Sequence, residues 1–471
     1  MSEIKFGTGG FRGIIGDTFT KSNIQKICQA IANIVNREKL KKRICIGYDN
    51  RFMSEDFAKY CAEVFLANDF IVILFKNATS TPVSMYKTMI DDNDYGVMIT
   101  ASHNPYIYNG IKVFTKQGKD ASLEDTKKIE NEFNALKEVL SVEMNCYSGN
   151  NLQILDCVDD FVNYIINNQK IQEFKDLRVV FDNKFGSSAE ELKLLCEKLN
   201  IKDYKIIHKF RDAFFNFTLP APSANNIEEL KQEVLNNKYN IGFALDADGD
   251  RLAVVDENGN YLDNNIILAL VYYYFVKYEN KTGGVVKNNA TSVLLDILAD
   301  KLNSKCYEVP VGFKYISSKL IETKAVVGGE SSGGLAVQNH IWGKDSLLSI
   351  AICIKIMEKL KKPFSQIVNE MLIFADNFKK IIQDKQFKYS LDEEKVIKDI
   401  IFNKKALPNL IFKPVKVVLD DYLKIYYENN NWTLVRFSGT EPVLRLFVEF
   451  DNKEECEQEF KLWQDFLHLE D

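Results

Sequence analysis

The chain opens with two alternating periodicities. Ile24, Ile27, Cys28, Ile31, Ile34 and Val35 recur at helical spacing, as do Phe57, Cys61, Val64 and Phe65. Short apolar runs over 43–48, 70–75 and 95–100 predict buried strands. Strands spaced by single helices predict a largely parallel sheet covered on both faces. The rhythm returns with a strand over 177–182, a helix over 188–199 and a strand over 241–246. It returns again as a helix over 264–278, a strand over 283–287, helices over 291–303 and 313–323, and a strand over 325–328. The C-terminal part differs: strands over 423–427, 432–437 and 444–450 are joined by short turns and closed by a helix over 454–466. The expected fold class is α/β with four domains. Three are related α/β domains with mixed sheets, and the fourth is a C-terminal α+β domain with an antiparallel sheet. The boundaries fall at 1–150, 151–255, 256–372 and 373–471.

A length of 471 residues agrees with that count, since one core rarely serves so long a chain. The net charge of −6 argues against a broad nucleic-acid surface but leaves room for a local anion pocket. Nine cysteines without a C-x-x-C pair read as reduced core thiols of a cytoplasmic protein. The apolar runs are too short to cross a bilayer, and the opening MSEIKFGTGGFRG does not read as a secretory signal.

Five segments carry chemistry. TASHNPYIYNGIK follows the 95–100 strand, where such sheets place ligands. Pro105 and Gly110 predict turns there. Ser102 can carry a phosphoryl group, with His103 and Lys112 to handle protons. In DADGDR, alternation on an extended chain would converge Asp246, Asp248 and Asp250. Such a cluster calls for a cation, and oxygen ligands suit Mg²⁺ or Ca²⁺. An EF-hand is rejected because Arg251 stands where glycine is needed. An aspartyl-phosphate phosphatase using Asp246 stays open on this motif. GGESSGG offers Glu330 and Ser332 to sugar hydroxyls on a tight loop. RFSGTEP, with Arg436, Ser438 and Thr440, reads as a phosphate nest, and Arg445 lies just beyond. FGTGGFRG adds Arg12 and is not a Walker loop.

In this order the five segments resemble the α-D-phosphohexomutase superfamily over nearly the whole chain. The resemblance implies four domains around a central cleft. It makes Ser102 the phosphoserine, and Asp246, Asp248 and Asp250 the Mg²⁺ ligands, completed by the serine phosphate. Lys112 becomes a general acid/base, with Arg12, His103 and Arg251 near the serine. Glu330, Ser332 and Lys314 would contact the sugar. Arg436, Ser438, Gly439 and Thr440, with Arg445 nearby, would hold the non-reacting phosphate. Departures are Ser331, Gly334 in place of a histidine, Ser346 in K-D-S, and Phe437. The implied activity is hexose 1-phosphate to hexose 6-phosphate exchange through a 1,6-bisphosphate. Glucose is the expected sugar and mannose the close alternative. Glucosamine and pentose rank lower. Glucose 1,6-bisphosphate is the expected activator, and the chain is expected to be a monomer or homodimer. A sensor that kept the fold but lost catalysis is the remaining rival.

Overall fold

The computed structural model describes residues 6–7, 10–438 and 442–469. The chain divides into two compact units, Met1–Asn288 with Leu302–Met371, and Asn289–Lys301 with Leu372–Asp471. The first unit holds three mixed sheets and the second one antiparallel sheet.

In the first sheet, Arg43–Tyr48, Ile71–Phe75, Tyr95–Ile99 and Leu152–Leu155 run parallel. The Tyr95–Ile99 strand is buried at every residue, as a strand covered on both faces should be. Helix Lys21–Glu38 buries the apolar stripe read from the sequence, starts at Thr20, whose side chain accepts from Asn23 N–H, and stops at left-handed Lys39. The expected turn around Gly110 is not there. Tyr108–Thr115 is a strand lying between Tyr95–Ile99 and Phe11–Ile14 and antiparallel to both. Gly110 is needed for close approach: a Cβ there would sit 2.5 Å from the Thr100 carbonyl oxygen and 2.8 Å from that of Phe11.

The second sheet pairs Arg178–Asp182, Asp203–Ile207 and Ile241–Leu245 in parallel, then returns antiparallel through Leu252–Asp256. The third pairs Val285–Asn288, Cys306–Val309 and Val327–Gly329 in parallel and returns through Leu335–Val337. The three sheets thus share one device. A buried parallel strand ends, a loop follows, and an antiparallel strand carries the chain back. Those three loops hold Ser102, the aspartate trio and Glu330. The repeat lies in backbone topology, not in shared residues, so it is hidden from sequence comparison of the units.

In the second unit, Ile381–Lys388, Val443–Phe450, Trp432–Phe437, Tyr422–Tyr427 and Pro414–Leu419 form the antiparallel sheet in that order. Helix Lys453–Leu467 packs on it through Cys456, Phe460 and Trp463. The helix read at 291–303 spans Leu294–Lys301 and belongs to this unit. The buried Glu449 carboxylate accepts from Val293 N–H at 2.9 Å and from the Ser292 hydroxyl.

Candidate active site

Ser102 follows the Tyr95–Ile99 strand in a left-handed conformation, φ +52°, which a non-glycine residue adopts only when its surroundings impose it. Two contacts do so. The Ser102 N–H donates to Thr100 Oγ1 at 2.8 Å. The Arg51 guanidinium, fully buried, donates to the carbonyls of Ser102, Asn104, Pro105 and Tyr108, the last three at 2.7, 3.0 and 3.1 Å. Asp49 pairs with Arg51 at 3.3 Å and neutralises it. This residue pair was not read from the sequence. Its only signal is position, directly after the 43–48 strand at the carboxyl edge of the sheet.

With its backbone so fixed, Ser102 Oγ donates a 2.7 Å hydrogen bond to Asp246 Oδ2. The aspartates converge as expected, but not along an extended chain. Ile241–Leu245 ends just before Asp246, and Gly249, at φ +65°, turns the backbone. Asp246 Oδ1 accepts from the N–H groups of Asp250 and Arg251, each at 3.0 Å, and closes the turn. One oxygen from each of Asp246, Asp248 and Asp250 lies within 4.8 Å of the others, and all three side chains are buried.

Lys112 projects from the 108–115 strand to Asp248 Oδ2 at 2.6 Å and Asp250 Oδ2 at 2.7 Å. Lys344 reaches Asp250 Oδ1 at 3.2 Å. Thr81 Oγ1 donates to Asp248 Oδ2 at 2.5 Å. Burial works to raise all three carboxyls. It prevails at Asp246, whose carboxyl is pushed up by burial and by the charges of Asp248 and Asp250. Lys112 overrides it at Asp248, and Lys112, Lys344 and Arg251 override it at Asp250, so both lie below the usual carboxylate range. Burial alone would lower the Lys112 ammonium, but the two carboxylates hold it above the ordinary lysine value. His103 Nδ1 lies 3.4 Å from Ser102 Oγ. Burial, then Arg251, Arg12 and Lys344, hold its ring neutral, well below the ordinary histidine value. Arg12 donates to Asn104 Oδ1 in the serine loop.

Buried Asp248 Oδ1 has no hydrogen-bond partner. An oxygen-only trio with an unpaired buried acceptor fits a hard divalent cation.

The Glu330 loop reaches the same centre. A Cβ on Gly334, at φ +80°, would lie 2.4 Å from the Asp250 carbonyl oxygen. Position 334, which is histidine in some phosphomannomutase-type loops, needs glycine here because this loop is pressed against the aspartate turn. Glu330 Oε1 accepts from Asn288 Nδ2 and Gly312 N–H, both at 3.0 Å. Ser332 is exposed and Lys314 half-buried.

In the second unit, Arg436 and Arg445 are direct cross-strand partners. Like charges facing each other across a sheet are unfavourable, and an anion between them reverses the sign. Arg445 Nε is buried without a hydrogen-bond partner, and Ser438 N–H donates to Val443 O at 2.9 Å. Gly439 and Thr440 lie outside the described residues.

Models of the phosphoglucomutase/phosphomannomutase α/β/α domains I, II and III match residues 3–140, 159–259 and 263–373, and that of the C-terminal domain matches 397–461. The chain is 29% identical to a phosphoglucomutase/phosphomannomutase of Thermococcus kodakarensis over 97% of both chains. It is 28% identical to a phosphoglucosamine mutase of Acetivibrio thermocellus over 96% of both. A phosphoglucomutase/phosphomannomutase family structure from Burkholderia thailandensis superposes with a TM-score of 0.82 at 20% identity, covering 98% of each chain. An Aspergillus fumigatus N-acetylphosphoglucosamine mutase, solved with GlcNAc-6P and magnesium, shares the fold at a TM-score of 0.58 and 13% identity over 98% of this chain and 95% of that one.

Four domains with these loops define an intramolecular phosphotransferase of the phosphohexomutase class. The chain belongs to the phosphoglucomutase/phosphomannomutase family of the α-D-phosphohexomutase superfamily. Among the described residues, no helix is long and apolar enough to cross a membrane.

Proposed function

We propose that this chain interconverts hexose 1-phosphates and hexose 6-phosphates by lending a phosphoryl group from Ser102. The observation that carries the reading is the Ser102 Oγ to Asp246 hydrogen bond inside a buried carboxylate trio. A sugar hydroxyl attacks phosphorus, a sugar O–P bond forms as the Ser102 Oγ–P bond breaks, and the proton the sugar hydroxyl gives up ends on the departing Ser102 Oγ. The bisphosphate turns end for end, and its other phosphate returns to Ser102. Neutral His103 is placed to accept a proton near Oγ. Lys112, held as an ammonium, offsets negative charge as the bond to Oγ breaks. Arg12 and Arg251 extend that positive field. Asp246, Asp248, Asp250 and the Ser102 phosphate would hold Mg²⁺, which when bound neutralises charge on the transferring group. The relative solved with GlcNAc-6P and magnesium supports both the ion and the class of ligand. Glucose 1,6-bisphosphate is the expected activator.

Glu330, Ser332 and Lys314 are assigned to the sugar. Arg436, Ser438, Gly439, Thr440 and Arg445 are assigned to the non-reacting phosphate. The GGESSGG loop favours glucose, whereas phosphoglucosamine mutases recur among the relatives and shift the weight towards glucosamine. Mannose is the remaining hexose.

Phosphopeptide mapping after priming with glucose 1,6-bisphosphate tests the chemistry. An acid-stable phosphate on Ser102 is expected. An acyl phosphate on Asp246 would mean a phosphatase instead, and no conversion of any hexose phosphate would favour a sensor.

A further inference from the structure

Arg51 holds the serine loop through the edge of its guanidinium, and an aromatic ring covers its face. The Phe215 ring lies over that face, with its centroid 4.9 Å from the guanidinium carbon. Both residues are fully buried. Phe215 comes from the segment that follows the Asp203–Ile207 strand of the second sheet. The backbone takes an uncommon path to deliver it. Phe215, Asn216 and Phe217 are all left-handed, at φ +51°, +50° and +57°. Three such residues in succession, none of them glycine, persist only where their surroundings over-determine them. Asp212 supplies part of that constraint. Its side chain accepts from Phe214 N–H at 2.9 Å and Asn216 N–H at 2.8 Å, and its carbonyl accepts from Phe215 N–H at 3.1 Å. Thr218 closes the turn, its N–H and hydroxyl donating to the Phe215 carbonyl at 2.9 and 2.8 Å.

The same turn touches the serine loop directly. Tyr106 of that loop meets the Phe214 and Phe217 rings edge-on, at 5.5 and 5.4 Å between centroids. Phe52, next to Arg51 in the chain, stacks on Phe214 at 6.3 Å. The ring on Arg51 suits what that side chain does. A guanidinium is planar, and its N–H groups lie in its plane. Here they are given to the carbonyls of Ser102, Asn104, Pro105 and Tyr108. The face then needs a cover that takes no donor and admits no water. An aromatic face meets both conditions, and its negative quadrupole attracts the cation. It also resists tilting of the guanidinium plane, which would loosen all four carbonyls together.

We propose that Phe215 is a positioning residue for phosphoryl transfer: its ring fixes the Arg51 guanidinium and, through it, the left-handed backbone that aims Ser102 Oγ. This rests on the phosphohexomutase reading and deepens it. Two changes test it. Phe215→Leu keeps an apolar filler without a ring. Phe215 replaced by pentafluorophenylalanine keeps the ring's outline but reverses the charge on its face. Each protein, supplied with Mg²⁺, is assayed well below its melting temperature. The readouts are the rate at which Ser102 takes up phosphate from glucose 1,6-bisphosphate, and kcat and KM for the hexose phosphate that the wild type converts fastest. Both changes should lower the uptake rate and kcat about tenfold or more. KM should stay within about twofold, because Phe215 acts through Arg51 and not on the substrate. A pentafluorophenylalanine protein with wild-type uptake rate and kcat overturns the proposal and leaves the mutase intact, whatever Phe215→Leu does, because the ring then only fills space. A loss confined to KM overturns it as well. A folded wild type that takes up no phosphate on Ser102 and converts no hexose phosphate overturns the mutase reading and this proposal with it.

Discussion

Ser102 and Asp246, 144 residues apart in sequence, are joined by a 2.7 Å hydrogen bond between buried side chains. The bond brings the serine loop of one sheet onto the carboxylate trio of the next. Ser102→Ala removes the hydroxyl that reaches Asp246. Steady-state turnover should fall at least about 10³-fold, and no phosphate should be taken up from glucose 1,6-bisphosphate. Retained phosphate uptake at another residue would move the carrier elsewhere.

Removal of divalent metal should abolish activity, and Mg²⁺ should restore it. A readout independent of turnover comes from stability. A cation that binds only the folded chain stabilises it by about 2.7 kcal/mol at one hundred times its dissociation constant. Saturating Mg²⁺ should therefore raise the melting temperature of the wild type. It should raise that of Asp248→Asn much less, because the unpaired Oδ1 of Asp248 is the acceptor an ion would take. Equal shifts in both proteins would place the ion elsewhere.

Gly334→Ala tests the contact between the sugar loop and the aspartate turn. The added Cβ meets the Asp250 carbonyl at 2.4 Å and a backbone φ of +80° that alanine resists. Strain of this kind costs about 1–3 kcal/mol. Denaturant unfolding should show that loss, and activity should fall further than stability explains, because the displaced atom belongs to the turn that carries Asp246, Asp248 and Asp250. A variant with wild-type stability and kcat would show that the loop yields freely.

Arg51→Met should be the most damaging change to the serine loop. It strips donors from four carbonyls and leaves Asp49 as a buried charge without its partner. Breaking a buried pair in this way costs roughly 3–5 kcal/mol. A soluble variant with wild-type stability would refute the role given to Arg51.

Much of this site was legible because its chemistry sits in contiguous segments. TASHNP and DADGDR each carry their reactive groups within a few residues, and apolar strands before them mark their place at a sheet edge. The helix over 21–38 and the strand over 95–99 were legible for a similar reason, since each buries a regular apolar pattern. What was hidden depends on partners distant in sequence. YNGIKVFT reads as a turn because Gly110 suggests one, and only the approach of Phe11 and Thr100 shows why a strand needs glycine there. Arg51 looks like a surface arginine until four carbonyls from another loop surround it.

The last prediction concerns pH. Glu191 is buried on helix Ala189–Lys198, and its Oε1 accepts from Ser80 N–H at 2.8 Å. Ser80 precedes Thr81, which binds Asp248, so the contact helps join the first two sheets. Burial lifts the Glu191 carboxyl from an ordinary 4.5 to about 7, although the hydrogen bond from Ser80 N–H opposes it. Below about pH 4.5 the group is protonated in both the folded and unfolded chain and costs nothing. Between about 4.5 and 7 the unfolded chain releases the proton while the folded chain keeps it, so stability falls as pH rises. Above about 7 both states are ionised and the penalty levels off at roughly 3 kcal/mol, from about 1.4 kcal/mol for each pH unit between the two values. Glu191→Gln keeps the shape and the acceptor for Ser80 but cannot ionise. Its stability relative to wild type should therefore increase from pH 5 to pH 8 by up to that amount. Other carboxyls titrate in both proteins and cancel in the difference. Urea unfolding of the pair at pH 5, 6, 7 and 8 measures it. A difference that stays constant across the series would show that Glu191 is ionised in the folded chain throughout.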